Sequence, residues 1–247
     1  VLCQGLRKNL SQTDFIMQKS SKDSLAKFLK AQTFENILDV PSGNGWLRKV
    51  LAPEVIIDGI DLFEEKPKDY NRFWSYDLEN GIPEDAVGYD LVCCCEGIEH
   101  VGNPLNLLRS FNKALSNGGM LVVTTPNIWY PQARMQYLLR GFFPSFPSLV
   151  DTQIKFGSHM HITPWCYPQL YLYFKLAGFS PPLLIEEPLS KPKHFHERLL
   201  GIPSKLYIQS KIKKSKSDEE RTFWETAGSG GSRLGRHLIV FAHKTSE

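Results

Sequence analysis

Short apolar runs alternate with amphipathic stretches through the first half of the chain. Asn36-Ile37-Leu38-Asp39-Val40 reads as a buried strand, Val55 to Ile60 as a second ending at Asp61, and Arg72 to Tyr76 as a weaker third. Tyr89 to Cys95 and Gly119 to Thr125 read as a fourth and a fifth, and Leu238 to Ala242 as a late final strand. Strands that are apolar almost throughout, separated by helical segments, imply a parallel sheet covered on both faces. The expected fold is therefore α/β: a Rossmann-like, doubly wound three-layer sandwich, mostly parallel, with a late antiparallel strand. One domain over residues 1–247 accommodates the whole pattern.

Helix boundaries are marked in places. Gly45 to Leu51 begins a helix after the first strand. Asn103 caps another with Pro104 at its first position; Leu105, Leu108, Phe111 and Leu115 give it an apolar face and Gly118-Gly119 stops it. Thr163-Pro164 opens a third, with Leu170, Phe174 and Ala177 on one face and Gly178 at its end. Residues 129–164 break the alternation with aromatics, Leu and Arg, and read either as a packed helix and loop or as a lid over a substrate cleft. Residues 205–232, charged and poor in apolar side chains up to 221, read as a flexible loop.

Composition narrows the classes. The 247 residues are 42% hydrophobic and 22% charged, which is globular. A net charge of +3 sets up no strong field for nucleic acid. No apolar run reaches the length needed to cross a bilayer, and the first residues lack the apolar stretch of a secretory signal. Three of the five cysteines are contiguous (Cys93, Cys94, Cys95), which suits buried reduced thiols rather than a disulfide or zinc framework and points to the cytoplasm.

The chemistry concentrates where strands end. Asp39-Val40-Pro41-Ser42-Gly43-Asn44-Gly45 is an acidic strand end running into a glycine turn, a device that lets backbone approach a nucleotide. Asp61 follows 22 residues later, where a carboxylate can accept both hydroxyls of a ribose. Arg48 stands at the third glycine position of the dinucleotide fingerprint, so that fingerprint fails, and no Gly-Lys-Ser/Thr phosphate loop is present.

The order of motifs resembles the class I S-adenosylmethionine-dependent methyltransferases over about residues 34–128. Asp39 to Gly45 is similar to their first motif, with Pro41 in place of its first glycine. Gly59-Ile60-Asp61-Leu62, Tyr76-Asp77-Leu78-Glu79, the segment Tyr89 to Val101, and Leu115 to Pro126 follow in the family's order. The resemblance implies a methyltransferase using S-adenosylmethionine. Asp39, Ser42, Gly43 and Gly45 would surround the methionine part, Asp61 would hold the ribose, Asp77 and Leu78 would meet the adenine, and Glu96 would face the cofactor or substrate.

Glu96-Gly97-Ile98-Glu99-His100 would bring two carboxylates and an imidazole to one side if it forms a helical turn, a donor set suited to a divalent cation such as Mg²⁺. The pattern resembles two metal-using groups, the ubiquinone-biosynthesis O-methyltransferases and the small-RNA 2′-O-methyltransferases. By likeness to the second, His161 would complete the set, with His159 as the spare. The bland alternative is a metal-free cluster facing the substrate. Glu96, Glu99, His100 and His161 are thus the catalytic and metal candidates. The second half, from Thr125-Pro126-Asn127-Ile128 to Gly178-Phe179, resembles methyltransferases of bacterial surface-glycan synthesis, which implies O-methylation of a sugar, saccharide or other small molecule. An RNA ribose methyltransferase and a non-catalytic cofactor-binding protein are the competing readings; a nucleic-acid partner would want a basic groove, which the sequence lacks.

Overall fold

The computed structural model describes residues 19–143, 161–185 and 195–245. Strands β1 (Asn36–Asp39), β2 (Ile56–Asp61), β3 (Phe73–Ser75), β4 (Tyr89–Cys95), β5 (Leu115–Pro126), β6 (Leu183–Leu184) and β7 (His237–His243) form one sheet. Their order is β3-β2-β1-β4-β5-β7-β6, parallel from β3 to β5 and antiparallel where β7 lies between β5 and β6. This is the expected doubly wound sheet with its late antiparallel strand, now extended by the two-residue β6. The chain leaves β1 toward β2 on one side and later returns to β4 on the other. A crevice therefore opens at the carboxyl ends of β1 and β4, the position at which such sheets bind ligands.

Helices cover both faces: α1 (Lys19–Lys30), α2 (Pro104–Ala114), α3 (Pro131–Arg140), α4 (Tyr167–Leu176), α5 (Phe195–Lys214), α6 (Asp218–Ala227) and α7 (Gly230–Leu234). Side chains alternate across a strand, so β4 sends Cys93 and Cys95 to one core and Val92 and Cys94 to the other. The first core packs Leu25 and Leu29 of α1 on Ile37, Ile57, Val122 and Ile239. The second packs Leu108 and Phe111 of α2, and Leu170 and Phe174 of α4, on Leu38, Val92, Leu121 and Val240. The four cysteines at 93, 94, 95 and 166 are free thiols.

Asn103 caps α2 through its side chain, which accepts from the Asn106 N–H at 3.2 Å, with Pro104 at the start of the helix. The helix ends at Ala114, four residues before Gly118, so Leu115 already belongs to β5 and the buried face is Leu107, Leu108, Phe111 and Ala114, with Leu105 only partly covered. The third helix begins at Tyr167 rather than beside Pro164, and Gly178 closes it at φ +83°. After β1 the expected helix from Gly45 is only a 3-10 turn, Trp46–Lys49. Pro53 disfavours helical backbone at the residue before it, and Arg48 turns back to donate to the Val55 carbonyl at 2.7 Å.

Residues 205–232 are helical, not a flexible loop. Lys and Glu are good helix formers, and Ser217 caps α6 by accepting from the Glu220 N–H at 3.1 Å ahead of three acidic residues. Ile208 and Ala227 are buried, and Phe223 stacks edge-on with Tyr171 of α4 at 4.7 Å and Trp224 at 4.8 Å. Of the stretch read as a lid, 129–143 contains α3, while 144–160, including His159, lies outside the described residues. None of the described helices is long and apolar enough to cross a membrane.

Candidate functional site

The glycine turn is held open by its own backbone. Gly43 and Gly45 have φ of +50° and +68°, the left-handed region that glycine enters without a side-chain clash. A Cβ on Gly45 would also meet the Pro67 ring at 2.6 Å. The Gly43 N–H donates to Asp61 Oδ2 at 2.8 Å, so the end of β2 anchors the turn after β1. Asp61 Oδ1 accepts from the Phe63 N–H at 3.2 Å. Burial raises the pKa of Asp61, against these backbone donors.

Asp39 is fully buried. Tyr70 donates its hydroxyl to Oδ2, whereas Oδ1 has no partner among the described residues, and neither has the buried Ser42 hydroxyl oxygen. These orphaned polar atoms beside an open glycine turn fit a polar ligand that brings its own donors. Burial drives the Asp39 pKa well above the usual carboxylate range; the Tyr70 hydrogen bond opposes this and the Asp61 charge reinforces it. Asp77 and Leu78 stand farther along the same edge. The Asp77 side chain caps the 3-10 turn Leu78–Asn80 by accepting from the Glu79 N–H at 3.1 Å, and both residues are half-buried.

A pH effect follows from Asp39. Its native pKa is raised and its unfolded one is ordinary, so the native state binds the proton more tightly. The stabilisation is complete below the ordinary carboxylate pKa and is lost as pH rises through the raised native value. The melting temperature of the ligand-free protein should fall as pH rises above the ordinary carboxylate range, and Asp39→Asn should flatten that fall. A profile unchanged by the substitution would refute it.

The second cluster sits at the end of β4, across the crevice. Glu96 adopts φ +52°, uncommon for a residue with a side chain and typical of functional turns. Its N–H donates to the Thr124 carbonyl at 3.0 Å, and the Thr124 hydroxyl donates to Oε1 at 2.8 Å. Because of this backbone excursion, the following 3-10 turn is only Ile98–His100 and Glu96 stands outside it. Its carboxylate turns to His237, whose Nε2 is 3.5 Å from Oε2.

Glu99, His100 and His161 do converge: one ligand atom from each lies within 4.8 Å of the others. Glu99 Oε2 accepts from the Thr125 hydroxyl at 3.0 Å and Oε1, buried, has no partner among the described residues. The Glu99 carbonyl accepts from the Ile162 and Thr163 N–H groups at 2.9 and 3.0 Å, which ties the His161 segment to the turn. The His100 and His161 rings meet edge-on at 4.9 Å. Burial, then the Glu96 charge, push the Glu99 pKa well above its ordinary value. Burial lowers the His161 pKa, opposed by Glu96 and assisted by His237, which favours the neutral imidazole that binds metals.

Sequence reasoning missed Thr124, Thr125, Tyr70 and His237. The two threonines belong to a strand that reads only as core. His237 comes to the site because β7 runs antiparallel to β5 in the register Pro126↔His237, a pairing invisible in the sequence.

A family profile described as a methyltransferase domain matches residues 15–180. The chain belongs to the methyltransferase-domain family. Among curated proteins, it is 31% identical over 150 residues to a ubiquinone biosynthesis O-methyltransferase of Hydrogenovibrio crunogenus, covering 55% of this chain and 59% of that one. It is 30% identical over 105 residues to the protein of that name from Vibrio vulnificus, covering 38% and 44%. The match thus spans less than half of the Vibrio relative. An S-adenosylmethionine-dependent methyltransferase from Archaeoglobus fulgidus shares the fold at TM-score 0.55 and 13% identity, over 91% of this chain and 93% of that one. A Burkholderia thailandensis N1-methyltransferase with bound S-adenosylhomocysteine does so at TM-score 0.51 and 11% identity, over 98% and 84%.

Proposed function

We propose that this methyltransferase O-methylates a hydroxyl of a small-molecule diol, a sugar or saccharide unit or a catechol-like ring, with a divalent cation at Glu99, His100 and His161. The convergence of those three unlike ligand groups within 4.8 Å, with one buried Glu99 oxygen unpartnered, carries the reading. Oxygen and imidazole donors suit a hard or borderline ion, and the curated relatives named as O-methyltransferases support oxygen as the acceptor. A bound cation would lower the pKa of an acceptor hydroxyl.

The chain supplies the rest. Asp39, Ser42, Gly43 and Gly45 cradle the methionine part of the donor, Asp61 takes the ribose, and Asp77 with Leu78 meets the adenine. The acceptor oxygen attacks the methyl carbon in line. A C–O bond forms, the C–S bond breaks, and its electron pair stays on sulfur, giving S-adenosylhomocysteine. The hydroxyl proton passes to Glu96, whose carboxylate His237 faces at 3.5 Å. Since the sulfonium is already a good leaving group, positioning and deprotonating the nucleophile are the enzyme's main tasks.

The test is a methyl-transfer screen against catechols, nucleotide sugars and short RNAs, with and without chelator. Activity on a diol should fall in excess EDTA and return with Mg²⁺ or Mn²⁺, and Glu99→Ala with His100→Ala should abolish the metal response. Full activity in excess chelator overturns the metal. Methylation of RNA alone would favour the ribose 2′-O reading, and absence of S-adenosylmethionine binding would favour a non-catalytic protein.

A further inference from the structure

Arg134 lies on α3, one turn beyond Tyr130, to whose carbonyl its N–H donates at 3.2 Å. Its Nε and Nη2 are buried and neither has a hydrogen-bond partner among the described residues. Nε and Nη2 form one edge of the guanidinium, which presents two parallel N–H donors to a carboxylate or phosphate. Arg134 as a whole is half-buried, but buried donors left unpaired are costly, so an empty edge of this kind needs an explanation.

The surroundings sharpen the point. Arg233 stands close enough that its charge, after burial itself, lowers the Arg134 pKa. Among the described residues, Arg233 donates to the neutral carbonyls of Gly228 at 2.8 Å and Gly201 at 3.2 Å. The buried carboxylate nearby, Glu197, is already engaged: Tyr130 donates its hydroxyl to it at 3.0 Å and Arg236 faces it at 3.9 Å. Among the described residues neither Arg134 nor Arg233 has a carboxylate partner, and Glu197 answers Arg236 instead.

The position follows from the fold. Helix α3 starts five residues after the carboxyl end of β5. The Arg236 guanidinium lies 5.2 Å over the Tyr130 ring, and Arg236 precedes His237, which faces Glu96. Tyr130, whose ring meets Arg236 and whose carbonyl holds the Arg134 N–H, thus joins the strand that carries His237 to the α3 turn that carries Arg134.

We propose that Arg134, backed by Arg233, binds an anionic group of the methyl acceptor, a carboxylate or a phosphate. The acceptor is then an acidic diol, such as a uronic acid, a sugar phosphate or a dihydroxybenzoate, rather than a neutral one. This specificity rests on the O-methyltransferase reading, whereas anion binding itself does not. The acid pairs side-on with Nε and Nη2, while the hydroxyl lies toward Glu96.

The test compares glucose with glucuronate and glucose 6-phosphate, and catechol with 3,4-dihydroxybenzoate, in the enzyme and in Arg134→Met. A charge-assisted pair is worth about 1.5–3 kcal/mol, so the acidic member should exceed its neutral counterpart in kcat/KM by roughly 10- to 100-fold. In Arg134→Met this ratio should fall toward one. Glucuronate against glucose 6-phosphate tells carboxylate from phosphate. In parallel, inorganic phosphate should raise the melting temperature of the enzyme and not of Arg134→Met. Arg134→Lys, which keeps the charge and loses the fork, should give an intermediate ratio. An acidic-to-neutral ratio that Arg134→Met leaves unchanged overturns the proposal, as does equal stabilisation of both proteins by phosphate. If no diol is methylated but phosphate stabilises only the enzyme with Arg134, the anion site stands and the diol reading fails.

Discussion

Asp61→Ala should weaken S-adenosylmethionine binding by about 100-fold, from roughly 3 kcal/mol of lost hydrogen bonding to a charged acceptor. The proposed ribose contact would add to a structural task that the carboxylate already has. In the ligand-free protein it accepts from the Gly43 N–H at 2.8 Å and the Phe63 N–H at 3.2 Å, one donor on each oxygen. Each oxygen keeps a further lone pair, enough to take the two ribose hydroxyls while still holding the glycine turn. Alanine removes both functions, so the ligand loses its ribose contacts and meets a turn that must be ordered on binding. Asp61→Asn keeps a single acceptor oxygen and should fall between. Calorimetry reads the affinity, and thermal melting separates it from misfolding. Burial already raises the Asp61 pKa, so its loss should cost the empty protein little. Unaltered affinity in Asp61→Ala would remove Asp61 from the cofactor site.

What the sequence discloses divides by range. The turn from Asp39 to Gly45 and the cap at Asn103 are local, since residues a few positions apart settle their geometry. They are therefore legible without a fold. The apolar strands are legible because burial on both faces leaves few polar positions in β1, β4 and the inner half of β5. Glu99, His100 and His161 illustrate the middle case. Their residue types suggest a ligand set, but only the hydrogen bonds from Ile162 and Thr163 to the Glu99 carbonyl bring His161 in.

The failures have physical causes as well. The spacing of Glu96, Glu99 and His100 suits one side of a regular helical turn, yet the left-handed φ at Glu96 sends its carboxylate to Thr124 and His237 instead. Residues 205–232 look like a loop because their charges dominate any average. Their helices are held by few apolar contacts, Ile208, Phe223, Trp224 and Ala227, and by the cap at Ser217. His237 and Arg134 carry no local signal, since each acquires meaning from partners far away in the chain or, for Arg134, from lacking them.

Gly97→Ala should destabilise the fold by about 1–3 kcal/mol, the usual cost of overpacking, and Pro41→Gly should restore most of it. Gly97 needs no special backbone, since its φ is −123°. Space is the constraint: a Cβ there would lie 2.4 Å from Pro41 Cδ and 3.2 Å from the Cys94 sulfur. A proline ring cannot rotate aside as a flexible side chain would. Pro41 stands where related methyltransferases have the first glycine of their turn, and in this chain its ring occupies the space that Gly97 leaves open. The two positions belong to the two halves of the candidate site, Pro41 to the glycine turn after β1 and Gly97 to the turn that carries Glu99 and His100. Alanine at 97 should therefore push the turns apart and lower both cofactor affinity and methyl transfer. A double-mutant cycle on melting temperature tests the pairing. At about 2–4 °C per kcal/mol for a chain of this size, the single Gly97→Ala variant should lose several degrees. The Pro41→Gly/Gly97→Ala double variant should recover most of them. Strict additivity of the two substitutions would mean that the glycine is needed for some reason other than the proline.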